Sequence, residues 1–124
     1  IMSSDWSSDV CSSDLGSQTR SFMHVNDILN AVTALMNTPE AKGEIYNIGN
    51  NQEVQIKDLA RMVKEMTGSG SEIEQIPYER AYGPGFEDME RRCPNIQKLQ
   101  AATGFEPSYD LEAIIQSVID YFKT

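Results

Sequence analysis

Residues 20–37 read RSFMHVNDILNAVTALMN, and this stretch decides the fold class. Arg20–Val25 is an alternating apolar run that predicts a short strand. Asn26 or Asp27 is expected to cap the helix that follows, because a side-chain oxygen at that place accepts a free first-turn amide. The predicted helix runs through Asn37. Its apolar face, which is expected to pack on a core, consists of Ile28, Val32, Leu35 and Met36.

The chain after this stretch continues the alternation of strands and helices. Glu44–Ile48 (EIYNI) predicts a strand, and residues 49–51 (Gly-Asn-Asn) predict a turn. A second helix is expected over Ile56–Thr67, with Gly68 as its C-terminal cap. Its predicted buried stripe is Ile56, Leu59, Ala60, Val63 and Met66.

The C-terminal part is richer in helices. A strand is predicted over Glu72–Ile76, before a long loop from Tyr78 to Glu90, and loops of this length are often functional. Asn95 is expected to cap a short helix that Gly104 ends, and Asp110 to cap the last helix. The last helix has the predicted core face Leu111, Ile114, Ile115, Val118, Ile119 and Phe122. The order indicates an α/β edge that leads into a smaller α+β lobe.

Residues 1–15 follow none of these patterns. Ser-Ser-Asp occurs three times there. The DNA string GAC-GTG-TGC-TCT-TCC-GAT-CT, which resembles the end of a sequencing adapter, translates as Asp9–Leu15. We therefore predict that residues 1–15 are a disordered, non-native segment, and that residues 16–124 are a fragment of a larger fold. The alternative is an acidic, phosphorylatable tail or a disordered linker.

Composition restricts the class of protein. With 124 residues, 40% of them hydrophobic and 23% charged, the chain is one soluble domain or part of one. A net charge of −9 argues against general binding of nucleic acid, which requires a basic surface. No apolar run is long enough for a membrane helix. The two cysteines, Cys11 and Cys93, form neither a disulfide framework nor a metal spacing, so a reduced, cytoplasmic setting is expected.

The residues themselves contain no complete catalytic constellation. There is no Gly-rich phosphate loop, Tyr-x-x-x-Lys, nucleophile elbow or Cys/His metal cluster. His24 is the single histidine and is expected to be a packed residue rather than a catalyst. The arginines are more informative, because a guanidinium matches phosphate oxygens two at a time. Arg20 begins a strand, and Arg91 and Arg92 follow the long loop; the alternative for each is a solvated side chain or a surface ion pair.

Four segments together resemble one family over nearly all of residues 16–124. They read GSQTRSFMHVNDILNAVTALMN, IYNIGN, QIKDLARMVKEMTGSGSEIEQIP and RRCPNIQKLQAATGFEPSYDLEAIIQSVIDYF. The pattern is similar to the C-terminal third of extended short-chain dehydrogenase/reductases, in particular the NAD-dependent nucleotide-sugar epimerases and dehydratases. The resemblance implies the C-terminal edge of a Rossmann-type fold plus its small α+β substrate-binding lobe.

The resemblance also assigns roles to single residues. Arg20, with Gln18 beside it, would contact the nucleotide diphosphate of a nucleotide sugar. Arg92, or alternatively Arg91, would be the second contact. Asn95 stands where the family usually has Asp, and Gln55 where it commonly has a capping Ser or Thr, so the cap of the second helix should be weak.

NAD and the catalytic Tyr-x-x-x-Lys pair would belong to the part of the parent protein that lies upstream. The resemblance therefore implies no catalytic, cofactor-binding or metal-binding residue here, and a parent that is a homodimer. The loop Tyr82–Asp88 (YGPGFED) resembles that of bacterial UDP-glucose 4-epimerases, and this resemblance favours a UDP-glucose 4-epimerase-like activity. A UDP-glucuronate decarboxylase, a dTDP-glucose 4,6-dehydratase, a non-catalytic NAD(P)-sensing member of the fold, and a small acidic interaction domain remain as alternatives.

Overall fold

The computed structural model describes residues 12–13, 16–77 and 89–123. The predicted loop from Tyr78 lies outside the described residues except for its last two, Met89 and Glu90, and so does the segment Tyr82–Asp88. The chain divides into two compact units, Ile1–Arg20 with Val54–Arg91 and Ser21–Glu53 with Arg92–Thr124.

The first unit contains a parallel pair of strands and a helix. Strand β1 (Ser12–Ser13) pairs with β4 (Gln75–Ile76), with Ser12 opposite Gln75 and Ser13 opposite Ile76. A strand thus lies inside the segment that the sequence predicts to be disordered, whereas the non-native origin of that segment stays a prediction.

Helix α2 (Ile56–Thr67) has the predicted boundaries. Gln55 precedes it without a side-chain capping bond, as expected, and Gly68 ends it in the left-handed conformation with φ +65°. Ala60 is buried and the rest of the predicted stripe is half-buried. Gly16, with φ +69°, packs against this helix: a Cβ there would lie 2.8 Å from the Lys57 Cβ.

Three short strands form a separate sheet. They are β2 (Thr19–Ser21), β3 (Glu53–Gln55) and β5 (Arg91–Arg92), in the order β3-β2-β5. Strand β2 is shorter than predicted and begins one residue earlier. The sequence did not predict β3 or β5, because neither has an alternating apolar run.

The second unit is mainly helical. It contains α1 (Val25–Met36), a 3-10 turn (Pro39–Ala41), α3 (Gln97–Thr103) and α4 (Leu111–Lys123). Its core joins α1, α3 and the chain after α3 through three buried residues, Ala31, Leu99 and Phe105, and half-buried Met23, Leu35, Tyr46 and Ile48 pack around them. Gly104 ends α3 with φ +69°, and Asp110 Oδ1 accepts the Ala113 amide at 2.8 Å in the first turn of α4.

The strand predicted for Glu44–Ile48 is wrong, since these residues are in no strand. Instead, the exposed side chain of Lys98 on α3 contacts three residues of this segment. Its ammonium lies 2.7 Å from Glu44 Oε2, 2.9 Å from the Ile45 carbonyl and 4.7 Å from the centroid of the Tyr46 ring. Alternation of apolar residues marks an extended segment, but a ladder also requires a neighbouring strand.

The predicted start and core face of α1 are also wrong. The N-cap is His24, whose Nδ1 accepts the Asn26 amide at 3.1 Å, rather than Asn26 or Asp27. Of the predicted face only Leu35 packs on the core, whereas Ile28, Val32 and Met36 are exposed. The face that is buried carries Asp27 and Ala31.

Candidate functional site

The segment Gln18–Arg20 is held by backbone hydrogen bonds on both sides. The Gln18 carbonyl accepts the first amide of α2, from Ile56, at 3.1 Å, and the Thr19 amide donates to the Glu90 carbonyl at 2.8 Å. The Gln18 side chain is buried. Because the backbone is fixed in this way, the side chains of β2 project from a defined position.

Arg20 is half-buried on β2. Its Nη1 donates to the carbonyl of Thr19 at 2.8 Å, which restrains the guanidinium next to its own strand. A guanidinium has five N–H donors in a rigid plane, so this bond to the backbone fixes the orientation of the group relative to β2.

Arg91 and Arg92 form β5, and both are exposed. The bond from Thr19 to Glu90 places the chain just before Arg91 next to the chain just before Arg20. Gln18, Arg20 and Arg91 are therefore predicted site residues of one compact unit, whereas Arg92 is the first residue of a segment of the other unit.

A turn at residues 47–51 supports the chain that follows Arg92. The Cβ of an alanine at Gly49 would lie 2.5 Å from Pro94 Cγ, so only glycine allows this close approach. Cys93 Sγ lies 3.6 Å from the Asn51 carbonyl, and Asn47 Nδ2 donates to the Asn95 carbonyl at 3.4 Å. These contacts restrain the backbone directly after Arg92.

The same chain continues into α3. Asn95 Oδ1 accepts the Gln97 amide at 3.0 Å, but the N-cap of the helix is buried Ile96, which makes no side-chain capping bond, so the cap predicted at Asn95 is wrong by one residue. In the turn at residues 47–51, which contacts this segment, the Oδ1 atom of buried Asn50 accepts the Gln52 amide at 2.9 Å and so closes the turn. The sequence indicated a turn here, but nothing in it showed that the turn supports the segment after Arg92.

Asp27 is the most buried charged residue among those that the structure describes, with 1% of its surface exposed. Its carboxylate accepts bonds from the Ser108 hydroxyl, the Ser108 amide at 3.1 and 3.2 Å and the Tyr109 amide at 3.1 Å. Burial by itself raises the pKa of Asp27. The three donors and nearby His24 outweigh that effect, and the net pKa lies below the ordinary value of 3.8.

His24 and Asn26 bind the same segment from the start of α1. The His24 ring stacks on Tyr109 with centroids 3.9 Å apart and planes 10° apart, and Asn26 Nδ2 donates to the Tyr109 hydroxyl at 3.2 Å. His24 thus has a packing and capping role. We call residues 24, 26 and 27 with 108 and 109 the α1 clasp; it holds the chain between α3 and α4.

In the ranges 16–77 and 89–123 no group of three or more His, Cys, Asp and Glu residues could hold a metal ion. Three acidic residues precede β5 in the sequence: Glu87 and Asp88 lie outside the described residues, and Glu90 is exposed. None of the helices described here has the length and apolar character that crossing a membrane requires.

Solved structures define the class of fold. The chain is similar to a UDP-glucose 4-epimerase from Thermotoga maritima with UDP-glucose: the TM-score is 0.79 at 24% identity, over 93% of this chain and 35% of that one. It is also similar to a UDP-glucuronic acid 4-epimerase from Bacillus cereus in complex with UDP-glucuronic acid and NAD, with a TM-score of 0.75 at 24% identity, over 91% and 34%. The fold is that of part of a Rossmann-type extended short-chain dehydrogenase/reductase.

The sequence then gives the family. Residues 8–118 match the family described as GDP-mannose 4,6 dehydratase. The chain is 35% identical over 108 residues to UDP-N-acetyl-alpha-D-glucosaminuronate decarboxylase of Bacillus cytotoxicus, covering 87% of this chain and 33% of that protein. It is 37% identical to UDP-glucuronic acid decarboxylase 1 of Xenopus tropicalis, covering 87% and 24%.

The chain belongs to the GDP-mannose 4,6 dehydratase family of nucleotide-sugar epimerases and dehydratases, which confirms the resemblance read from its sequence. It spans a third or less of the length of these two relatives.

Proposed function

We propose that the chain supplies the nucleotide-diphosphate-sugar-binding part of an NAD-dependent nucleotide-sugar enzyme. The observation that carries the proposal is Arg20, restrained by the Thr19 carbonyl on β2 in a chain that matches the family over residues 8–118. Structures of similar fold contain UDP-glucose or UDP-glucuronic acid, both of which have a diphosphate.

In this proposal Arg20 binds the diphosphate, Gln18 lies beside it, and Arg92, or alternatively Arg91, makes the second contact. Each charge-assisted hydrogen bond is worth about 1.5–3 kcal/mol before the cost of ordering the side chain. Such contacts position the sugar for chemistry that other residues perform. The chain itself contributes no proton-transfer group to the reaction.

Epimerisation and decarboxylation are the first two candidates for the reaction of the parent protein, and dehydration, as in a dTDP-glucose 4,6-dehydratase, stays a third alternative. The segment Tyr82–Asp88, outside the described residues, is the reason to keep a UDP-glucose 4-epimerase-like activity as the first candidate. The second candidate, a UDP-glucuronate decarboxylase, is favoured by the two decarboxylases at 35% and 37% identity. A homodimeric parent in the cytoplasm stays part of the proposal.

NAD would be held by the rest of such a parent. The chain has no Gly-x-x-Gly-x-x-Gly turn whose backbone could receive a pyrophosphate, so its residues do not fit the cofactor.

Calorimetric titration with UDP-glucose, UDP-glucuronate and UDP tests the proposal on the 124-residue chain and on a full-length parent. Arg20→Ala and Arg92→Ala are each expected to weaken binding about 10-fold or more, because each removes a charge-assisted contact. Arg61→Ala is the matched control: it also removes one positive charge, but this exposed arginine on α2 pairs with Asp58 at 3.3 Å.

If neither Arg20→Ala nor Arg92→Ala changes the affinity more than Arg61→Ala does, the substrate-binding proposal is wrong. Product analysis by the full-length parent separates the two reactions: release of carbon dioxide from UDP-glucuronate identifies a decarboxylase, and interconversion of UDP-sugars without loss of carbon identifies an epimerase.

A further inference from the structure

A glycine in the turn at residues 47–51 lies against the ring of Pro94. An alanine Cβ at Gly49 would lie 2.5 Å from Cγ, 3.4 Å from Cβ and 3.7 Å from Cδ of that ring. The φ of Gly49 lies outside the positive range that favours glycine. Glycine is therefore required at this position by the close contact with the ring and not by its backbone conformation.

The contact acts on the main chain, because the ring of a proline is part of the backbone. The ring locks φ of Pro94, and its nitrogen forms the peptide bond with Cys93. A flexible side chain in this place could rotate away from a new Cβ, whereas the ring can move only together with the backbone. A displacement of the ring is therefore passed to the peptide group that follows Cys93, one residue from Arg92.

Cys93 is attached to the same turn. Its Sγ donates to the Asn51 carbonyl at 3.6 Å, and buried Asn50 closes the turn through the Gln52 amide. The turn thus holds two consecutive residues of the segment after Arg92, and all of them belong to the same compact unit. The turn and this segment form one support for the Arg92 backbone.

Arg92 is exposed, so the region that its guanidinium reaches is set by the position of its backbone. We propose that Gly49 is a positioning residue for anion binding by Arg92: its close fit against Pro94 places the Arg92 backbone where the guanidinium binds the diphosphate. This inference rests on the proposed function, in which Arg92 makes the second diphosphate contact. A misplacement of about 1 Å can cost up to about 100-fold when a group has to meet a defined position.

Calorimetric titration of the 124-residue chain with UDP tests the inference in a double-mutant cycle. Gly49→Ala is expected to weaken binding about 5-fold or more, because the Pro94 ring has to move. In an Arg92→Ala background the same substitution is expected to change the affinity by less than about 2-fold, because the group through which it acts is gone. Adding Pro94→Ala to Gly49→Ala removes Cγ and is expected to restore binding to within about 3-fold of the wild type.

Two controls separate positioning from loss of stability. Gly70→Ala adds a Cβ with nothing within 4 Å, and Asp27→Ala removes the buried carboxylate of the α1 clasp, outside the turn. Both are expected to bind UDP like the wild type at a temperature at which they are folded. Thermal unfolding of each variant fixes that temperature.

Cys93→Ala covers the case in which Gly49→Ala does not fold. It removes the bond to the Asn51 carbonyl without adding an atom, and it is expected to weaken binding about 2- to 3-fold, again only when Arg92 is present. Cys93→Ser keeps a donor and is expected to bind like the wild type.

The outcomes distinguish this inference from the proposed function. If Arg92→Ala weakens binding while Gly49→Ala and Cys93→Ala bind like Gly70→Ala, the positioning role is wrong and the proposed function stands. An equal effect of Gly49→Ala with and without Arg92 also overturns the positioning role. If neither Arg20→Ala nor Arg92→Ala changes the affinity, the proposed function fails, and the positioning role fails with it.

Discussion

Replacing Asp27 with alanine is expected to lower the free energy of unfolding by about 3 kcal/mol. The carboxylate is 1% exposed and accepts bonds from the Ser108 hydroxyl and from the amides of Ser108 and Tyr109. Each bond to a charged acceptor is worth about 1.5–3 kcal/mol. The contributions of the three hydrogen bonds are not fully additive. Burying the charged carboxylate costs free energy, and the alanine variant does not have that cost.

The amides of Ser108 and Tyr109 report on this loss directly. Native-state hydrogen exchange of these two amides should accelerate about 100-fold in Asp27→Ala, which corresponds to about 3 kcal/mol. Urea unfolding followed by circular dichroism measures the effect on the whole chain. Asp58→Ala is the control: its carboxylate is 43% exposed and pairs with Arg61, so a change within about 0.5 kcal/mol is expected.

The dependence on pH tests the same reasoning. The folded-state pKa of Asp27 lies below its ordinary value of 3.8, so the ionised carboxylate stabilises the fold above that pH. This contribution is lost as the pH falls through the lower, folded-state pKa. The difference in stability between the wild type and Asp27→Asn should therefore narrow below about pH 4. A difference that stays constant down to about pH 2, or wild-type exchange rates at Ser108 and Tyr109 in Asp27→Ala, would refute the role of the α1 clasp.

Two further predictions concern the supports of the second unit. Gly49→Ala should lower the free energy of unfolding by about 1–3 kcal/mol, because the new Cβ would lie 2.5 Å from the Pro94 ring. Urea unfolding measures this effect, with Gly70→Ala as the control because nothing lies within 4 Å of a Cβ at that position. Equal losses of stability in the two variants would contradict the prediction. Lys98→Met should raise the pKa of Glu44, which a hydrogen bond and the charge of Lys98 now lower; an NMR titration that shows no upward shift would exclude that cause.

The helices show how far local sequence determines structure. Helix α2 begins and ends at the predicted residues, and the predicted caps Gly68, Gly104 and Asp110 are where they were expected. Helical hydrogen bonds join residues four apart, so the signals that start and end a helix lie within a few residues of its ends.

The strands were predicted less well. Glu44–Ile48 has the pattern of a strand but belongs to no sheet, whereas β3 and β5 are strands without the pattern. A strand exists only where a distant segment offers hydrogen-bonding partners, and that pairing is not encoded in the strand's own residues.

The candidate site was also predictable only in part from the sequence. The sequence pointed to Gln18, Arg20, Arg91 and Arg92 through resemblance to a family, and their roles in binding stay predictions. The supports of the site were not predictable. Gly49 was recognised as part of a turn, but its close contact with Pro94 depends on two segments about 45 residues apart meeting in space.

The sequence by itself determined which segments form helices, the caps at Gly68, Gly104 and Asp110, and the family, because periodicity, capping residues and the family pattern are all properties of nearby residues. Only the tertiary structure decided that Asp27 is a buried acceptor for Ser108 and Tyr109 rather than a cap, and that α1 buries Ala31 and leaves Met36 exposed. Both depend on packing between residues far apart in the chain, and an apolar period cannot tell which of two apolar faces meets the core.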